Sequence, residues 1–276
     1  MNRLVLLGSG YTLTRLARVE STTRDVLAVT RDPERQASLR EAGAQVISLD
    51  EALDAAAEED VVVSIPPEAG LDARIAKRLA QDPPARCVYL SSTGVYGQLK
   101  GRVDEDSPVA FDDSRAKPRL EAERLYRSFG GVVLRVAGIY GPGRGIQDRM
   151  RAGTWRIPGD GSGHVSRVHV DDLVEAIRVA LRRAEPGSVL CVADDGAGTH
   201  QELAAFLSEK LGVPIPGSVP LEEVHPSLRG DREIVNARLR ALGWRPNFPT
   251  FREGYEAVLA QAHTATASSR RPSGRA

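Results

Sequence analysis

Short apolar runs alternate with longer helix-like stretches along most of this chain. The runs are rich in β-branched residues and cover residues 4–7, 26–30, 45–49, 61–65, 87–90 and 132–136, and residues 188–192 add a candidate seventh. Parallel strands need crossover connections and are buried on both faces. The alternation therefore predicts an α/β protein with a doubly wound parallel sheet of about seven strands.

Helix-capping side chains support this prediction. Asp32 and Pro33 supply an N-cap and a proline at the first helical position, and Gly43 supplies a stop. Thr199 with Glu202, and Thr250 with Glu253, form capping boxes. Helices are expected after each of these three caps.

Glycine- and proline-rich segments at residues 141–145 and 158–163 mark a change of architecture. We predict a sheet domain at residues 1–145 and a small mixed substrate lobe at residues 146–262. Residues 166–195 are expected to return to the sheet domain. Residues 263–276 show no apolar periodicity and predict a disordered tail.

The charge balance restricts the partners. Lys plus Arg number 37 and equal Asp plus Glu, so no global field draws the 276-residue chain to nucleic acid or to a membrane surface. A small-molecule partner is expected, and an Arg-rich end at Arg270, Arg271 and Arg275 is the alternative basis for binding nucleic acid. Without a signal peptide or a bilayer-spanning run, a cytoplasmic location is expected.

No metal-binding motif is present in the sequence. Cys87 and Cys191 each lie in an apolar run, which favours two buried structural thiols over a disulfide or a metal site.

A glycine turn follows the first predicted strand. Gly8-Ser9-Gly10 precedes a helix-like run, as in the dinucleotide-binding fingerprint of Rossmann folds. Backbone N–H groups of these residues and of Tyr11, Thr12 and Leu13 would then meet a pyrophosphate at the helix N-terminus. Leu13 occupies the third glycine position, and a tight turn that needs no ligand would use the same residues.

The end of the second strand sets the choice of dinucleotide. Thr30-Arg31 stands where an acidic residue would accept from the ribose 2′-hydroxyl of NAD, and an arginine favours the 2′-phosphate of NADP. Asp32 is a competing acidic candidate, but the following proline favours a helix cap. The sequence therefore favours NADP, with NAD as the alternative. Asp50 near the third strand and Ser64-Ile65-Pro66 after the fourth complete the expected cofactor residues.

Several segments carry a family resemblance. Residues 90–97 read Leu-Ser-Ser-Thr-Gly-Val-Tyr-Gly, residues 134–143 read Leu-Arg-Val-Ala-Gly-Ile-Tyr-Gly-Pro-Gly, and residues 168–172 read Val-His-Val-Asp-Asp. Together with Leu242-Gly243-Trp244, they resemble the NAD(P)-dependent epimerase/dehydratase family of extended and atypical short-chain dehydrogenases/reductases. The resemblance implies an NAD(P)-dependent oxidoreductase or epimerase with a Rossmann domain and a small C-terminal substrate lobe. It is also compatible with a homodimer.

The resemblance implies catalytic residues, but the tyrosine of the family's Tyr-x-x-x-Lys pair is missing. Ser92 matches the family's catalytic Ser/Thr, with a turn-capping serine as the alternative, and Ser91 lies beside the cofactor. One register of the pair places Asp113 and Lys117, and a second places Arg115 and Arg119. Asp113 would need a raised pKa to act as an acid. Tyr96, Tyr126 and Tyr140 are substitute phenols, each with a simpler interpretation as a packed aromatic.

The substrate side is expected at Thr93, Tyr140, Arg144 and Arg167. Arginine suits phosphate recognition, with surface solvation as the alternative for these side chains. His169 in its apolar context favours a structural histidine over a catalytic base. Two functions follow from the resemblance: an NADP(H)-dependent enzyme acting on a small carbonyl or sugar-type substrate, or a catalytically impaired NADP(H)-binding sensor or scaffold.

Overall fold

The computed structural model describes residues 2–66, 68, 70–225 and 229–269, with side chains as far as residue 262. The strands are β1 (Leu4–Leu7), β2 (Val26–Val29), β3 (Gln45–Ile47), β4 (Asp60–Val63), β5 (Arg86–Ser92), β6 (Gly101–Val103), β7 (Val132–Val136), β8 (Gly138–Tyr140), β9 (Ile157–Pro158), β10 (His164–Val165), β11 (Arg167–His169), β12 (Val189–Val192), β13 (Gly198–Thr199), β14 (Ser218–Val219) and β15 (Arg232–Ile234). The helices are α1 (Tyr11–Glu20), α2 (Pro33–Glu41), α3 (Leu49–Asp54), α4 (Leu71–Gln81), α5 (Lys117–Arg127), α6 (Ile146–Arg151), α7 (Val170–Arg183), α8 (His200–Leu211), α9 (Ala237–Ala241) and α10 (Phe251–Ser269), and two 3-10 helices cover Thr93–Tyr96 and Leu221–Glu223.

Seven strands form one parallel sheet in the order β12-β7-β5-β4-β1-β2-β3. The prediction of a doubly wound α/β fold with seven parallel strands is therefore confirmed. The strand order reverses between β1 and β4, since β2 and β3 lie on one side of β1 and the later strands on the other. Doubly wound sheets bind ligands outside the carboxyl ends of the strands at such a switch point.

Helices cover both faces of the sheet. Apolar residues of α1, α2 and α7, such as Leu13, Leu39 and Leu173, form one core with alternate strand residues. Apolar residues of α3, α4 and α5 form the second core on the opposite face. Burial on both faces explains why the strands of the sequence read as continuous apolar runs.

The segments after residue 140 add elements to the large sheet domain and also form a smaller lobe. Helix α7 and strand β12 return to the large sheet, as predicted, while β13-β10-β15-β6 form a separate four-stranded sheet. Trp155, Phe206 and Tyr255 belong to a third core that joins α6, α8 and α10. The boundary at residues 145/146 stays a prediction.

The last helix departs from the predicted tail. Helix α10 extends through Ser269, so the backbone of residues 263–269 is helical, and the predicted disorder of the tail stays a prediction. The rest of the predicted tail, residues 270–276, lies outside the described residues, as do Arg270, Arg271 and Arg275. Across the described part of the chain, none of the helices combines the length and the apolar character needed to cross a bilayer.

Candidate functional site

A cleft of about 1500 Å³ runs along the carboxyl edge of the large sheet. Its walls come from the loops after β1, β2, β3 and β4 and from residues at the ends of β5 and β7. Pockets for ordinary small molecules have about 300–1,000 Å³. The cleft is therefore long enough for an extended ligand that spans several strands.

The glycine turn forms the floor of the cleft. Gly8 has a φ of +129°, and a Cβ at this position would lie 2.3 Å from the carbonyl oxygen of Ser64. Gly10 caps helix α1 without a side chain, and a Cβ there would meet nothing within 4 Å. This end of α1 thus presents bare backbone N–H groups to an open space, which fits a pyrophosphate.

Only some residues of the glycine turn and of the first turn of α1 line the cleft. Ser9 and Thr12 line the cleft together with the two glycines, whereas Tyr11 and Leu13 do not. Leu13 is fully buried in the core under α1, and the Tyr11 hydroxyl donates to the carbonyl oxygen of Pro142. Their side chains point away from the cleft, one toward the 141–145 loop and the other toward the sheet, so only their backbone N–H groups stay as predicted contributors to a pyrophosphate site.

At the end of β2, Thr30 and Arg31 both line the cleft. The Ser9 hydroxyl donates to Thr30 Oγ1 at 2.7 Å, which ties the glycine turn to this strand. Arg31 is 90% exposed, and its nearest carboxylate, that of Glu68, lies 3.6 Å away. Arg31 is thus a lightly paired cation at the cleft rim.

Asp32 acts as a helix cap, as the sequence predicts. Its Oδ1 accepts from the backbone N–H of Glu34 at 3.0 Å and of Arg35 at 3.3 Å. Its Oδ2 lies 3.2 Å from the Arg35 guanidinium. With both oxygens engaged, this carboxylate is poorly placed to accept from a ribose.

The end of the cleft near Arg31 is more basic than the sequence analysis predicts. Arg35, Arg40 and Arg74 line the same part of the cleft as Arg31. Arg35 and Arg40 both lie on α2, which begins two residues after Arg31, and this nearness in the sequence was the available signal. Four guanidinium groups at one end of a cleft favour an anionic ligand.

Asp50 does not line the cleft, in contrast to its predicted place among the cofactor residues. Strand β3 ends at Ile47, and Ser48 caps α3 in a capping box with Glu51, so Asp50 lies in the first helical turn. Asp50 is outside the cleft lining and pairs with Arg74 on the surface. Ser48 and Glu51 line the cleft instead.

The loop after β4 and the end of β5 complete the cleft. Ser64, Ile65 and Pro66 line it as predicted, and Pro67 lies outside the described residues. Ser91 lines it through the last residues of β5, and its hydroxyl donates to the buried Glu123 carboxylate at 2.5 Å. Ser91 is therefore held in place by α5.

Ser92 lies beside this end of the cleft without lining it. It is partly buried, and its Oγ accepts from the backbone N–H of Gly94 at 3.1 Å, which caps the 3-10 helix at Thr93–Tyr96. The turn-capping geometry is thus present, while the hydroxyl proton stays available to a ligand. Thr93 follows in the same turn, also half-buried and outside the cleft lining.

The first register of the missing pair lies outside the cleft lining. Asp113 accepts from the Arg115 side chain and backbone, and these hydrogen bonds lower the pKa of its carboxyl to about 2. Lys117 is exposed at the start of α5 and does not line the cleft. The lowered pKa of Asp113 is unsuited to a general acid, and its catalytic role and that of Lys117 stay predictions that the structure does not favour.

The second register places one residue in the cleft. Arg119 lies in the first turn of α5 and lines the cleft beside Leu90 and Ser91. Its Nη1 donates to the carbonyl oxygen of Leu90 at 3.2 Å and to the hydroxyl of Tyr89 at 3.3 Å. Arg115, four residues earlier, is exposed and bound to Asp113.

All six tyrosines of the chain are accounted for, and none opens into the cleft. Five are at most 2% exposed: Tyr89, Tyr96, Tyr126, Tyr140 and Tyr255. Burial raises the pKa of each of them, and also raises that of the half-buried Tyr11 to about 12. The interpretation of Tyr96, Tyr126 and Tyr140 as packed aromatics is confirmed, so none replaces the missing phenol.

Three of the predicted substrate residues lie away from the cleft. Tyr140 is buried, stacked on Tyr255 at 4.5 Å between ring centroids. Arg167 is 4% exposed and donates to the carbonyl oxygen of Val165. Pairing of β8 with β11 and packing of α10 cover both side chains, so neither is placed to meet a substrate. Arg144 is exposed, with its guanidinium 5.5 Å from the Tyr11 ring centroid.

Three further residues have structural positions. His169 is fully buried, and its Nδ1 accepts from the backbone N–H of Asp171, which confirms a structural histidine at the start of α7. Cys87 and Cys191 are free and buried, in agreement with structural thiols. Within the described residues, no group of three or more His, Cys, Asp or Glu side chains is placed to hold a metal ion.

The chain is similar in sequence to a curated bacterial protein. A curated relative from Streptomyces sp., named 3-diazoavenalumate denitrifying reductase, is 34% identical over 176 residues. The match covers 55% of this chain and 57% of the relative, so the chain spans little more than half the length of that protein.

Two solved structures match nearly the whole chain. A conserved protein of unknown function from Silicibacter pomeroyi has a TM-score of 0.82 and 29% identity, with 95% of this chain and 99% of that chain covered. A human epimerase family protein, solved with NADPH, has a TM-score of 0.77 and 20% identity, with 94% and 99% covered, and shares the fold. Residues 4–193 match the model of the NAD dependent epimerase/dehydratase family, which is more than half of the sequence. The chain therefore belongs to the NAD-dependent epimerase/dehydratase family.

Proposed function

We propose that the chain is an oxidoreductase that binds NADP(H) in the sheet-edge cleft and exchanges a hydride with a small organic substrate. When bound, the cofactor supplies the hydride. The observation that carries the proposal is the cleft itself, which joins a bare helix N-terminus at Gly10 to an arginine cluster at one end and to Ser91 and Arg119 at the other.

The arginine cluster supports NADP over NAD. Arg31 is exposed and lightly paired, and Arg35 and Arg40 flank it on α2. Asp32, the acidic group that would accept from a free ribose hydroxyl, is engaged in capping α2. A 2′-phosphate would gain bidentate hydrogen bonds from arginine at this position.

At the other end, Ser92 is proposed as the group that orients the substrate. Its hydroxyl proton is available because its Oγ accepts from Gly94 and donates to no described residue. A hydroxyl donating to an oxygen that gains negative charge lowers the energy of the transition state. The Streptomyces relative named as a reductase favours reduction of a small molecule, whether a carbonyl or a sugar-type substrate.

The second candidate is a cofactor-binding sensor or scaffold without turnover. The observation that favours it is the burial of five tyrosines and the engagement of Tyr11 with Pro142, which leaves the cleft without a phenol. Both candidates require NADP(H) binding, so binding is tested first.

Calorimetric titration of the full chain with NADPH and NADH, at one salt concentration, tests the proposal. We expect tighter binding of NADPH, and loss of that preference in Arg31→Ala. Arg18→Ala is the matched control, because Arg18 is exposed on α1 and outside the cleft lining. Binding of neither dinucleotide by a folded protein would overturn both candidates.

Exchange of hydride with a substrate panel then separates the two candidates. The enzyme predicts turnover that falls in Ser92→Ala, with NADPH affinity unchanged. The sensor predicts binding without turnover. Turnover that is indifferent to Ser92→Ala would overturn the role given to Ser92.

A further inference from the structure

Ser91 and Glu123 share a hydrogen bond behind the end of the cleft formed by β5 and β7. The Ser91 hydroxyl donates to Glu123 Oε1 at 2.5 Å. Ser91 is 5% exposed and Glu123 is 3% exposed, so water does not compete for this contact. The contact decides which hydrogen-bonding groups a ligand can use at this end of the cleft, and the inference drawn from it rests on the proposed function.

The Glu123 side chain can only accept hydrogen bonds. Arg135 donates to it from Nε and from Nη2, the latter at 2.8 Å from Oε2. A carboxylate that is paired with a guanidinium offers lone pairs and no proton. The proton between Glu123 and Ser91 is therefore supplied by the serine.

This bond leaves Ser91 as an acceptor toward the cleft. A serine hydroxyl has one proton and two lone pairs. Because the proton is directed at Glu123, the oxygen of Ser91, which lines the cleft, has only lone pairs to offer a ligand. Ser92 has the opposite polarity, since its Oγ accepts from the Gly94 N–H and its own proton stays available.

A fixed donor lies on the same wall of the cleft. Arg119 precedes Glu123 by about one turn of α5 and lines the cleft. Its Nη1 donates to the carbonyl oxygen of Leu90 and to the hydroxyl of Tyr89, and these bonds hold the guanidinium in place. Within the described part of the chain its Nε and Nη2 make no hydrogen bond, so both are available to a ligand. The wall thus offers an acceptor at Ser91 and a cationic donor at Arg119.

The rest of this end of the cleft is apolar. Leu90, Val136 and Ile139 line it together with the two polar residues. Sites of this composition bind the flat or apolar part of a ligand, and their few polar groups fix its orientation.

The sheet order indicates which part of the cofactor reaches this wall. Strand β5 lies two strands from β1, about 10 Å at the usual strand spacing, on the side opposite to β2 and its arginines. A dinucleotide whose pyrophosphate meets the backbone at Gly10, and whose adenosine lies toward Arg31, therefore directs its nicotinamide half toward β5.

We infer that Ser91 and Arg119 hold the carboxamide of the nicotinamide ring. A primary carboxamide carries N–H donors and a carbonyl acceptor on one carbon, as asparagine does. The N–H group donates to Ser91 Oγ, and the carbonyl oxygen accepts from Arg119. Glu123 is then a positioning residue, because it acts by fixing the direction of the Ser91 hydroxyl. Anchoring the carboxamide restricts rotation of the ring, so that one of its faces stays toward the substrate.

An analogue without the N–H donor tests the contact with Ser91. In the 3-acetylpyridine analogue of NADP⁺, a methyl group replaces the amino group of the carboxamide. By calorimetric titration of the full chain, we expect NADP⁺ to bind about 3–10-fold more tightly than the analogue, which is the value of one hydrogen bond. In Ser91→Ala, which leaves the Glu123–Arg135 pair intact, the two affinities should agree within about twofold. Ser128→Ala is the matched control, because Ser128 is exposed at the far end of α5 and outside the cleft lining.

Glu123→Gln tests the positioning role. The amide oxygen of the new side chain accepts from Arg135, so its amide nitrogen donates to Ser91 and turns the serine proton toward the cleft. We expect this variant to lose the preference for NADP⁺ over the acetylpyridine analogue, although Ser91 itself is unchanged. A merely structural role would lower both affinities and leave their ratio as in the wild type. Circular dichroism shows whether the variant is folded, and Ser91→Ala alone decides the test if it is not.

An analogue with a weaker acceptor tests Arg119. The thionicotinamide analogue of NADP⁺ keeps the amino group and carries sulfur in place of the carbonyl oxygen. We expect it to bind more weakly than NADP⁺, and this difference should disappear in Arg119→Met while Ser91→Ala retains it. Arg115→Met is the control, since Arg115 is exposed in the loop before the same helix.

The outcomes separate this inference from the proposed function. If the wild type binds NADP⁺ and the acetylpyridine analogue equally, or if its preference persists in Ser91→Ala, the carboxamide does not meet Ser91 and the inference is overturned while cofactor binding stands. A thionicotinamide penalty that persists in Arg119→Met would remove Arg119 from the contact. If no dinucleotide binds to the folded chain, the proposed function itself fails.

Discussion

The Arg115 side chain donates two hydrogen bonds to the Asp113 carboxylate, at 3.2 Å from Nε and 2.8 Å from Nη2. These bonds lower the pKa of Asp113 to about 2, so the group is ionised at every pH at which the protein would be assayed. Asp113→Asn is therefore expected to leave the hydride-transfer rate within about twofold between pH 6 and 9. Stopped-flow measurement of NADPH oxidation checks this. A loss near that of Ser92→Ala would restore a catalytic role to Asp113.

The two glycines of the turn predict opposite phenotypes. Gly8→Ala combines a positive φ with a Cβ 2.3 Å from Ser64, so it is expected to destabilise the fold by at least about 1–3 kcal/mol. Gly10→Ala meets no neighbour within 4 Å and is expected to cost no more than about 1 kcal/mol. Because Gly10 faces the cleft, NADPH affinity should fall by about tenfold in this variant.

Chemical unfolding followed by circular dichroism, with calorimetry on each folded variant, measures both effects. Weak NADPH binding in Gly8→Ala alone, with Gly10→Ala unaffected, would place the dinucleotide away from this turn.

A buried ion pair lies next to Ser91, because the Glu123 carboxylate that accepts from the Ser91 hydroxyl also binds Arg135. Arg135 Nη2 lies 2.8 Å from Glu123 Oε2, and both side chains are almost fully buried. Glu123→Ala would leave Arg135 as an uncompensated buried charge, which costs about 3–5 kcal/mol. The matched control is Glu256→Ala, which breaks the exposed pair with Lys210 and should cost less than about 1 kcal/mol. Equal losses in urea unfolding would contradict the importance of the buried pair.

The buried carboxyl of Asp194 is expected to make the stability of the fold decrease as pH rises. It is 3% exposed, and burial raises the pKa of its carboxyl to about 8, although the charge of Arg167 and a backbone hydrogen bond from Gly196 act to lower it. Between the unfolded pKa of about 3.9 and this value, only the folded state keeps the proton, so its contribution to stability falls as pH rises. Above pH 8 the loss is complete.

Asp194→Asn should therefore be more stable than the wild type at pH 9, and the difference should shrink toward pH 5. Urea unfolding at pH 5, 7 and 9 measures the trend. A variant that loses stability equally at all three values would show that Asp194 is ionised in the folded protein.

The parts of the site that depend on local sequence were predictable. Gly8 and Asp32 each meet a local requirement, a positive φ in the turn after β1 and an N-cap before α2, and Gly10 follows in the same turn at the start of α1. The same local logic could have corrected Asp50, because Ser48 and Glu51 already form a recognisable capping box.

The substrate side depends on contacts that the sequence does not display. Tyr140 is buried by α10, and Arg167 by the pairing of β11 with β8 and the approach of Phe251, all through distant segments. The choice between Lys117 and Arg119 depends on where α5 begins and how it is rotated against β5. A start at Lys117 leaves that side chain exposed and turns Arg119 into the cleft.

The interleaving of the two sheets has a consequence for how this protein can be divided. Strand β12 completes the large sheet from residues beyond 188, and β6, from the first half of the chain, pairs with β15 near residue 233. A gene fragment that encodes residues 1–145 would lose a strand from one sheet and leave β6 without its neighbour. A chimera joined to a relative at that boundary would pair strands from two different sequences in both sheets, so such an exchange of lobes is expected to lower the stability of the fold.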